Sequence, residues 1–496
     1  MPEIKAMTPV SLPDRRYRWG TILLPVALLV LFSSCTTRSV LRLEKLANST
    51  MENDFLSAVQ TVRKNAKLYG KNNQFLYHMD IGALFHYAGV YDSSTTHLRQ
   101  AADIFTDLFT RSVTNEAAAV LTNDNIRPYR SKPYELVMLH EFLASNYLAR
   151  GNVEDALVES RQVQLMFDEW NRKNRSEFKY DSDGMFHYLS SIAYDAADET
   201  SDAMISLYHS VKAFQDGPVA MPAGLSDRAY HLFKMNDRND DNIRLNLKPS
   251  ISLSQLQDVG NNTAEIILIG YAGRGPAYEE QSWWGTWVKD GLLVVHHKGK
   301  DGEQETMTLP APPLPADELR KAEKGQKTAS GTTFHIKFAL PALREIPSRT
   351  KNFTVSCSGK DRVFTSATIN DLDKQAQKYL DDTRGVTVAR TVIRVVLRTI
   401  AAQRAKAQMQ TGSTAANLLL NIGTDLLADQ LEKADTRSCF LLPKTVQIVR
   451  IPVKAGSYNL KVTANGNDGT VLRKMVFNDL AVGAHEKKFV FCSSFK

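Results

Sequence analysis

The sequence predicts an α+β multidomain protein: an α-helical, tetratricopeptide-like repeat domain followed by a mainly-β domain that a helical hairpin interrupts. Three observations carry this. Residues 41 to about 215 repeat a pattern of small and aromatic residues at helical spacing. From Thr263 the apolar residues switch to short runs and to alternation with polar ones, as strands require. Long apolar-faced helical stretches then return between 366 and 434, before four closing strand-like segments. The boundaries expected are 1–34 for a signal peptide, 35–225 for the helical domain and 226–262 for a linker. The β domain would occupy 263–365 and 435–496, with a helical insertion at 366–434.

At the N-terminus, Arg15, Arg16 and Arg18 precede the apolar stretch Gly20 to Leu31, and Phe32-Ser33-Ser34-Cys35 follows. A charged segment, a short apolar one and small residues before a thiol resemble a bacterial lipoprotein signal, with cleavage before a lipidated Cys35. The stretch is too short for a spanning helix. An acyl chain contributes roughly 0.8 kcal/mol per buried CH₂, so two or three chains hold a protein durably on a membrane. Thr36 follows the cysteine, and by resemblance to known sorting rules a residue other than aspartate favours the outer membrane. The expected location is the bacterial cell envelope, as an outer-membrane lipoprotein.

In the helical region Gly82, Phe85, Gly89, Tyr91, Leu98 and Ala101 stand at offsets 0, 3, 7, 9, 16 and 19. Ala144, Tyr147, Gly151, Val153 and Ala156 repeat offsets 0, 3, 7, 9 and 12. A degraded third copy has Ser191, Tyr194, Ala203 and Leu207 at 0, 3, 12 and 16. These offsets are those of the tetratricopeptide helix pair, whose period is about 34 residues. The small residue admits a close second helix, the aromatic fills the gap, and the glycine ends the first helix. The copies lie further apart than that period, so insertions are expected between them. Tyr91, Tyr147 and Tyr194 are expected to be packing residues.

Residues 216–262 are polar and punctuated, and Asp237–Asn242 only loosely resembles a calcium loop: Asn242 stands where glycine is needed and Lys248 where a bidentate glutamate is needed. Strands are expected at Glu265–Tyr271, Leu292–His297, Phe334–Leu340 and Phe353–Cys357. Helices are expected at Asp371–Leu380, Val386–Gln408 and Ala415–Lys433. Strands near 446–452, 457–464, 470–477 and 487–493 close the chain, the middle two joined by the turn-prone Asn465–Gly469.

The 496 residues are 43% hydrophobic and 23% charged, an ordinary globular balance. Removing residues 1–34 takes away four positive and two negative side chains, so the net charge falls from +7 to +5, too mild to argue for nucleic acid. Besides Cys35, three cysteines remain. In an oxidising compartment they allow one disulfide, and Cys439 with Cys492 is the preferred pair because it would tie together the ends of the last β segment.

The motifs give no catalytic signature. Gly270–Pro276 is glycine-rich but lacks dinucleotide-binding spacing. His140-Glu141 begins a zinc-protease pattern, but Ala144 stands where its second histidine belongs. The chain is therefore read as a non-enzyme without cofactor or metal. Trp283, Trp284 and Trp287 gather three of the five tryptophans, and such a cluster suits either a core or contact with a glycan or an interface. Arg390, Arg394 and Arg398 recur every four residues on an otherwise apolar helix, a basic face suited to anionic lipid or an acidic partner.

The whole stretch after Cys35 resembles an uncharacterised bacterial lipoprotein family with a tetratricopeptide-like N-terminal half and a C-terminal β domain. Gly82, Gly89-Val90-Tyr91, Gly151, Asp155–Arg161, Ala434–Ser438 and Leu441-Leu442-Pro443 carry the resemblance. Cys439 stands where that family has tryptophan. The resemblance implies an envelope location and a helical-repeat architecture, and no activity. The function expected is a lipid-anchored scaffold or adaptor that binds an envelope protein through the repeats. The alternatives are a peptidoglycan- or glycan-binding protein and a hydrolase whose site is assembled from distant residues.

Overall fold

The computed structural model describes residues 54–111, 127–173, 183–252, 264–288, 291–299, 301–314, 333–409 and 433–496. Cys35 and the signal segment lie outside them. The chain is a mixed α+β protein, with helices in the N-terminal half and three β-sheets in the C-terminal half.

After α1 (Phe55–Lys64) the helices pair as hairpins: α2 (Gln74–Tyr87) with α3 (Tyr91–Arg111), α4 (Pro133–Ala149) with α5 (Val153–Lys173), and α6 (Gly184–Ala196) with α7 (Thr200–Asp216). A fourth, α8 (Leu225–Met235) with α9 (Asn239–Arg244), occupies the stretch expected to be a linker. All four hairpins turn in the same way. Gly89, Gly151, Asp198 and Asp237 have φ of 74, 75, 60 and 55°. Past each, a backbone N–H reaches back to a carbonyl five residues earlier: Val90 to Phe85, Asn152 to Tyr147 and Glu199 to Tyr194 at 2.9 Å, Arg238 to Phe233 at 2.8 Å. A left-handed residue that closes the last helical carbonyls is a standard helix stop, and aspartate tolerates it in place of glycine. Polar Asp237–Asn242 thus forms a helix end and a short helix.

Among the described residues the strands are β1 (Glu265–Ala272), β2 (Ala277–Val288), β3 (Leu292–Lys298), β4 (Gln304–Pro310), β5 (Thr333–Arg344) and β6 (Thr350–Cys357), followed by β7 (Val363–Thr365), β8 (Ala367–Asp371), β9 (Thr445–Pro452), β10 (Gly456–Gly466), β11 (Val471–Val482) and β12 (Lys487–Ser494). The first sheet has the order β12-β1-β9-β8, the second β11-β10-β6-β7 and the third β4-β3-β2-β5. In the first sheet β1 runs parallel to β12 and antiparallel to β9.

Strand alternation sends the two faces of the first sheet to different cores. Ile267, Ile269, Tyr271, Val446, Ile448 and Phe489 join the helices. Ile266, Leu268, Val449, Ile451 and Val490 join Phe353, Val355, Leu460 and Val462 of the second sheet. Helices, first sheet and second sheet therefore stack as three layers. The third sheet packs against the long helix α10 (Leu372–Met409), where Val388, Val392, Val396 and Ile400 meet Trp283, Trp287, Val295 and Phe338. This one helix replaces the two segments expected at Asp371–Leu380 and Val386–Gln408; the further helix expected at Ala415–Lys433 falls on residues 410–432, outside the described ones.

The expected disulfide is not formed. Cys357, Cys439 and Cys492 are buried free thiols. Cys439 belongs to the helix–sheet core and Cys492 to the core between the sheets, so the first sheet lies between them.

Candidate functional site

Helix α4 opens with Lys132-Pro133-Tyr134-Glu135. Proline suits the first turn, and the Glu135 side chain reaches back to the Lys132 N–H at 2.9 Å. Glu135 is fully buried and is kept satisfied by the Tyr129 hydroxyl (2.6 Å) and by the Cys439 backbone N–H (3.0 Å). The strand-free segment before β9 is thereby tied to the helices. Lys132 Nζ donates to Tyr129 Oη and to the Arg437 carbonyl, both at 2.8 Å, and sits 4.7 Å from the Tyr278 ring centre. Arg437 forks onto Asp435 at 2.7 and 2.8 Å and donates to Asn73 at 2.9 Å and the Arg127 carbonyl at 3.0 Å. Burial pushes the Asp435 carboxyl up, but its bonds to Arg437 and the charges of Arg437 and Lys132 outweigh that and hold it below the usual range. Burial first, and then the charge of Glu135, push the Tyr129 phenol far up, so it stays protonated.

These residues wall a cleft of about 210 Å³ where the helices, the third sheet and α10 meet. Arg127, Arg130, Lys132 and Arg437 line it with Tyr129, Tyr278 and Tyr379. A second cleft of about 250 Å³ adjoins it, sharing Pro341, Leu380, Thr383 and Thr387 and holding the Glu305–Arg384 ion pair. Guanidinium and phenol groups converging in a partly enclosed space recognise carboxylate or phosphate groups.

A second polar cluster is buried deeper. His86 sits between Asn146 Oδ1 (2.7 Å from Nδ1) and the Tyr271 hydroxyl (2.9 Å from Nε2). Asn146 turns its amide nitrogen to Ser94 at 2.9 Å, so its oxygen faces the imidazole; this assigns the proton to Nδ1 and makes Nε2 the acceptor. Burial lowers the His86 pKa to about 4 and raises that of Glu141, two turns into the same helix as Asn146, to about 8. A cavity of about 220 Å³ beside His86 is lined by Tyr87, Tyr91, Tyr271, Phe477 and Phe491. Both ring nitrogens are engaged, so the imidazole pins α2, α4 and β1 together. It offers no nitrogen to a substrate.

The site residues expected from sequence are dispersed. Trp283 and Trp287 are buried against α10, with Trp287 Nε1 donating to the Pro312 carbonyl at 3.1 Å, while Trp284 points outward and is 41% exposed. His296 and His297 face opposite sides of β3, beside Trp284 and Trp283 respectively. Arg390 is exposed, Arg398 half-buried and Arg394 only 5% exposed, so they form no continuous solvated basic face. The apolar positions spread so far around α10 that the middle arginine falls within the buried sector. Tyr147 and Tyr194 lie under Arg99 and Arg161, as packing residues. Among the described residues no three metal-ligating side chains gather, and no helix is long and apolar enough to cross a membrane. Glu135, Lys132 and Tyr129 escaped the sequence reading, although Lys132-Pro133-Tyr134-Glu135 carries a helix-start signal. Compared with known families and curated proteins, the chain matches no family model and no curated protein.

Proposed function

We propose that this chain is a lipid-anchored adaptor of the bacterial envelope, whose tetratricopeptide-like helix pairs form a frame for the cleft beside α4. In this reading Cys35 carries the anchor and the cleft grips an acidic side chain or C-terminal carboxylate of a partner protein. The supporting observation is the use already made of the helix pairs. Helices α2, α4 and α6 turn one face to their own partners and another to the first sheet, so the inner face where a repeat domain would hold a peptide packs on that sheet, α2 and α4 on β12 and α6 on β8. The cleft, in contrast, is open and bears arginines at the meeting point of three modules.

The test is in-cell crosslinking of the tagged, lipidated protein, followed by detergent extraction and identification of what remains attached. One dominant protein retained by the wild type and lost with Arg130→Glu, a substitution at an exposed lining position, supports the reading. Equal retention by Arg130→Glu, or recovery of glycan fragments alone, refutes it.

A further inference from the structure

We infer that the outer face of the third sheet is a second binding surface, a platform for a glycan whose sugars carry carboxylates. It is separate from the cleft and does not depend on it. Alternation along β2 buries Trp283 and Trp287 and turns Trp284 out, leaving a large indole 41% exposed on an open sheet face. Strand pairing sets Lys337 of β5 on one side of Trp284 and His296 of β3 on the other, with Thr306 of β4 beyond. Neighbouring strands lie about 4.8 Å apart, so this row of four side chains spans about 15 Å, room for two or three linked sugar rings. The His296 ring lies 6.4 Å from the indole and tilted by 43°, and its Nδ1 is 3.0 Å from Thr306 Oγ1. Thr286 Oγ1 and His335 Nδ1, 3.2 Å apart, form a second polar pair beside the row.

The composition chooses the occupant. One exposed indole amid imidazole and hydroxyl groups is too little apolar surface for the core of a protein interface. It does match a sugar ring, whose C–H face packs on an indole while its hydroxyls meet polar neighbours. The row contains no carboxylate, and Lys298, exposed two residues beyond His296 on the same side of β3, brings an ammonium to this face, so its charge complements an acidic glycan such as the peptide-substituted strands of a cell wall.

The test is co-sedimentation of the full-length, detergent-solubilised protein with purified cell-wall sacculi, and in parallel with an insoluble neutral β-glucan. Wild type is expected to pellet with sacculi and not with the glucan. Trp284→Ala should bind about tenfold more weakly, the loss expected for one central aromatic contact, with an unchanged melting temperature. Trp284→Tyr, which keeps a ring, should retain most of the binding, and it also serves as the readout if the alanine variant fails to fold. Undiminished pelleting of Trp284→Ala, loss by Trp284→Tyr equal to that of alanine, absence of wild-type pelleting, or equal pelleting on the neutral glucan would overturn the inference.

Discussion

The guanidinium of Arg99 covers the ring of Tyr147 and donates to its hydroxyl at 2.6 Å, clasping one helix hairpin to the next. Arg161 lies over Tyr194, its centre 5.9 Å away, and Arg63 over Phe85 at 5.2 Å. Counted from the small residue of each copy, Arg99 and Arg161 both stand at offset 17, and the three rings at offset 3. A clasp repeated in register is what related helix pairs stacked in order would produce. Removing an exposed cation–π contact and its hydrogen bond costs about 1–2 kcal/mol. Arg99→Ala should lower denaturant stability by about that much and Tyr147→Phe by about half. An unchanged midpoint in Arg99→Ala would reduce the clasp to a packing coincidence.

Glu265 ties the helices to the first sheet by charge. It is fully buried, accepting from Arg450 at 2.5 Å and from Arg228 of α8 at 2.9 Å, while Lys487, its parallel partner on β12, reaches Asp195 at 2.9 Å. Burial opposes its ionisation, but Arg450, Arg228 and Lys487 together hold its pKa at about 2 instead of 4.5. A depressed carboxylate contributes stability that is complete above pH 4.5 and is lost as the pH falls towards 2. Glu265→Gln leaves buried cations without their counter-charge and should cost about 3–5 kcal/mol. The same variant should flatten the acid limb of a melting-temperature profile between pH 4.5 and 2; a parallel profile would refute the assignment.

How far the fold was legible depends on the distance over which each decision is made. The turns at Gly89 and Gly151 are local, and their glycines announce them. The equivalent turns at Asp198 and Asp237 use a residue that enters the left-handed region less readily, so the last hairpin read as linker. The four closing strands were legible from alternation within 20 residues or fewer. The pairing of β1 with β12 joins residues more than 200 apart, and no local pattern encodes it. That pairing decides where Cys492 points, which is why the expected disulfide failed. The candidate cleft was illegible for the same reason: Lys132 meets the Arg437 carbonyl across 305 positions. The orientation of the tryptophans was within reach, since residues 283 and 287 share a strand face that 284 does not.

Glu141 should make stability fall between pH 4.5 and about 8. It is fully buried, accepts from Ser145 at 2.9 Å, and burial lifts its pKa to about 8 from 4.5. Between these values the unfolded chain releases a proton that the folded chain keeps, so this group lowers stability as the pH rises, and the loss levels off above 8. Glu141→Gln removes the titration and should raise the melting temperature at pH 8 relative to wild type. At pH 5 the two should nearly coincide. An equal offset at both values would locate the effect in packing instead of ionisation.

Cys439 lies in the helix–sheet core and Cys492, with Cys357, in the core between the sheets, and burial raises the Cys439 and Cys492 thiols well above the ordinary thiol range. Native protein should therefore resist alkylation at both. Denatured, unreduced protein should take label at Cys357, Cys439 and Cys492 alike, as read by peptide mass. A Cys439–Cys492 peptide surviving digestion without reductant would contradict the layered placement of the two cysteines.

One substitution made at two helical glycines should act with opposite sign. At Gly82 in α2 an added Cβ would fall 2.6 Å from Leu98 Cγ, and Leu98 is itself wholly buried where α2 meets α3. Overpacking of this kind costs about 1–3 kcal/mol, more than the roughly 1 kcal/mol that alanine gains over glycine in a helix. Gly385 lies within α10, is exposed, and an added Cβ there meets nothing within 4 Å. The helix-propensity gain then stands alone, so Gly385→Ala should raise stability by about 0.5–1 kcal/mol while Gly82→Ala lowers it by about 1–2 kcal/mol. Equilibrium unfolding of the two variants reads both signs against one wild-type curve. Stabilisation by Gly82→Ala would mean that α2 and α3 do not approach as closely as the hairpin requires.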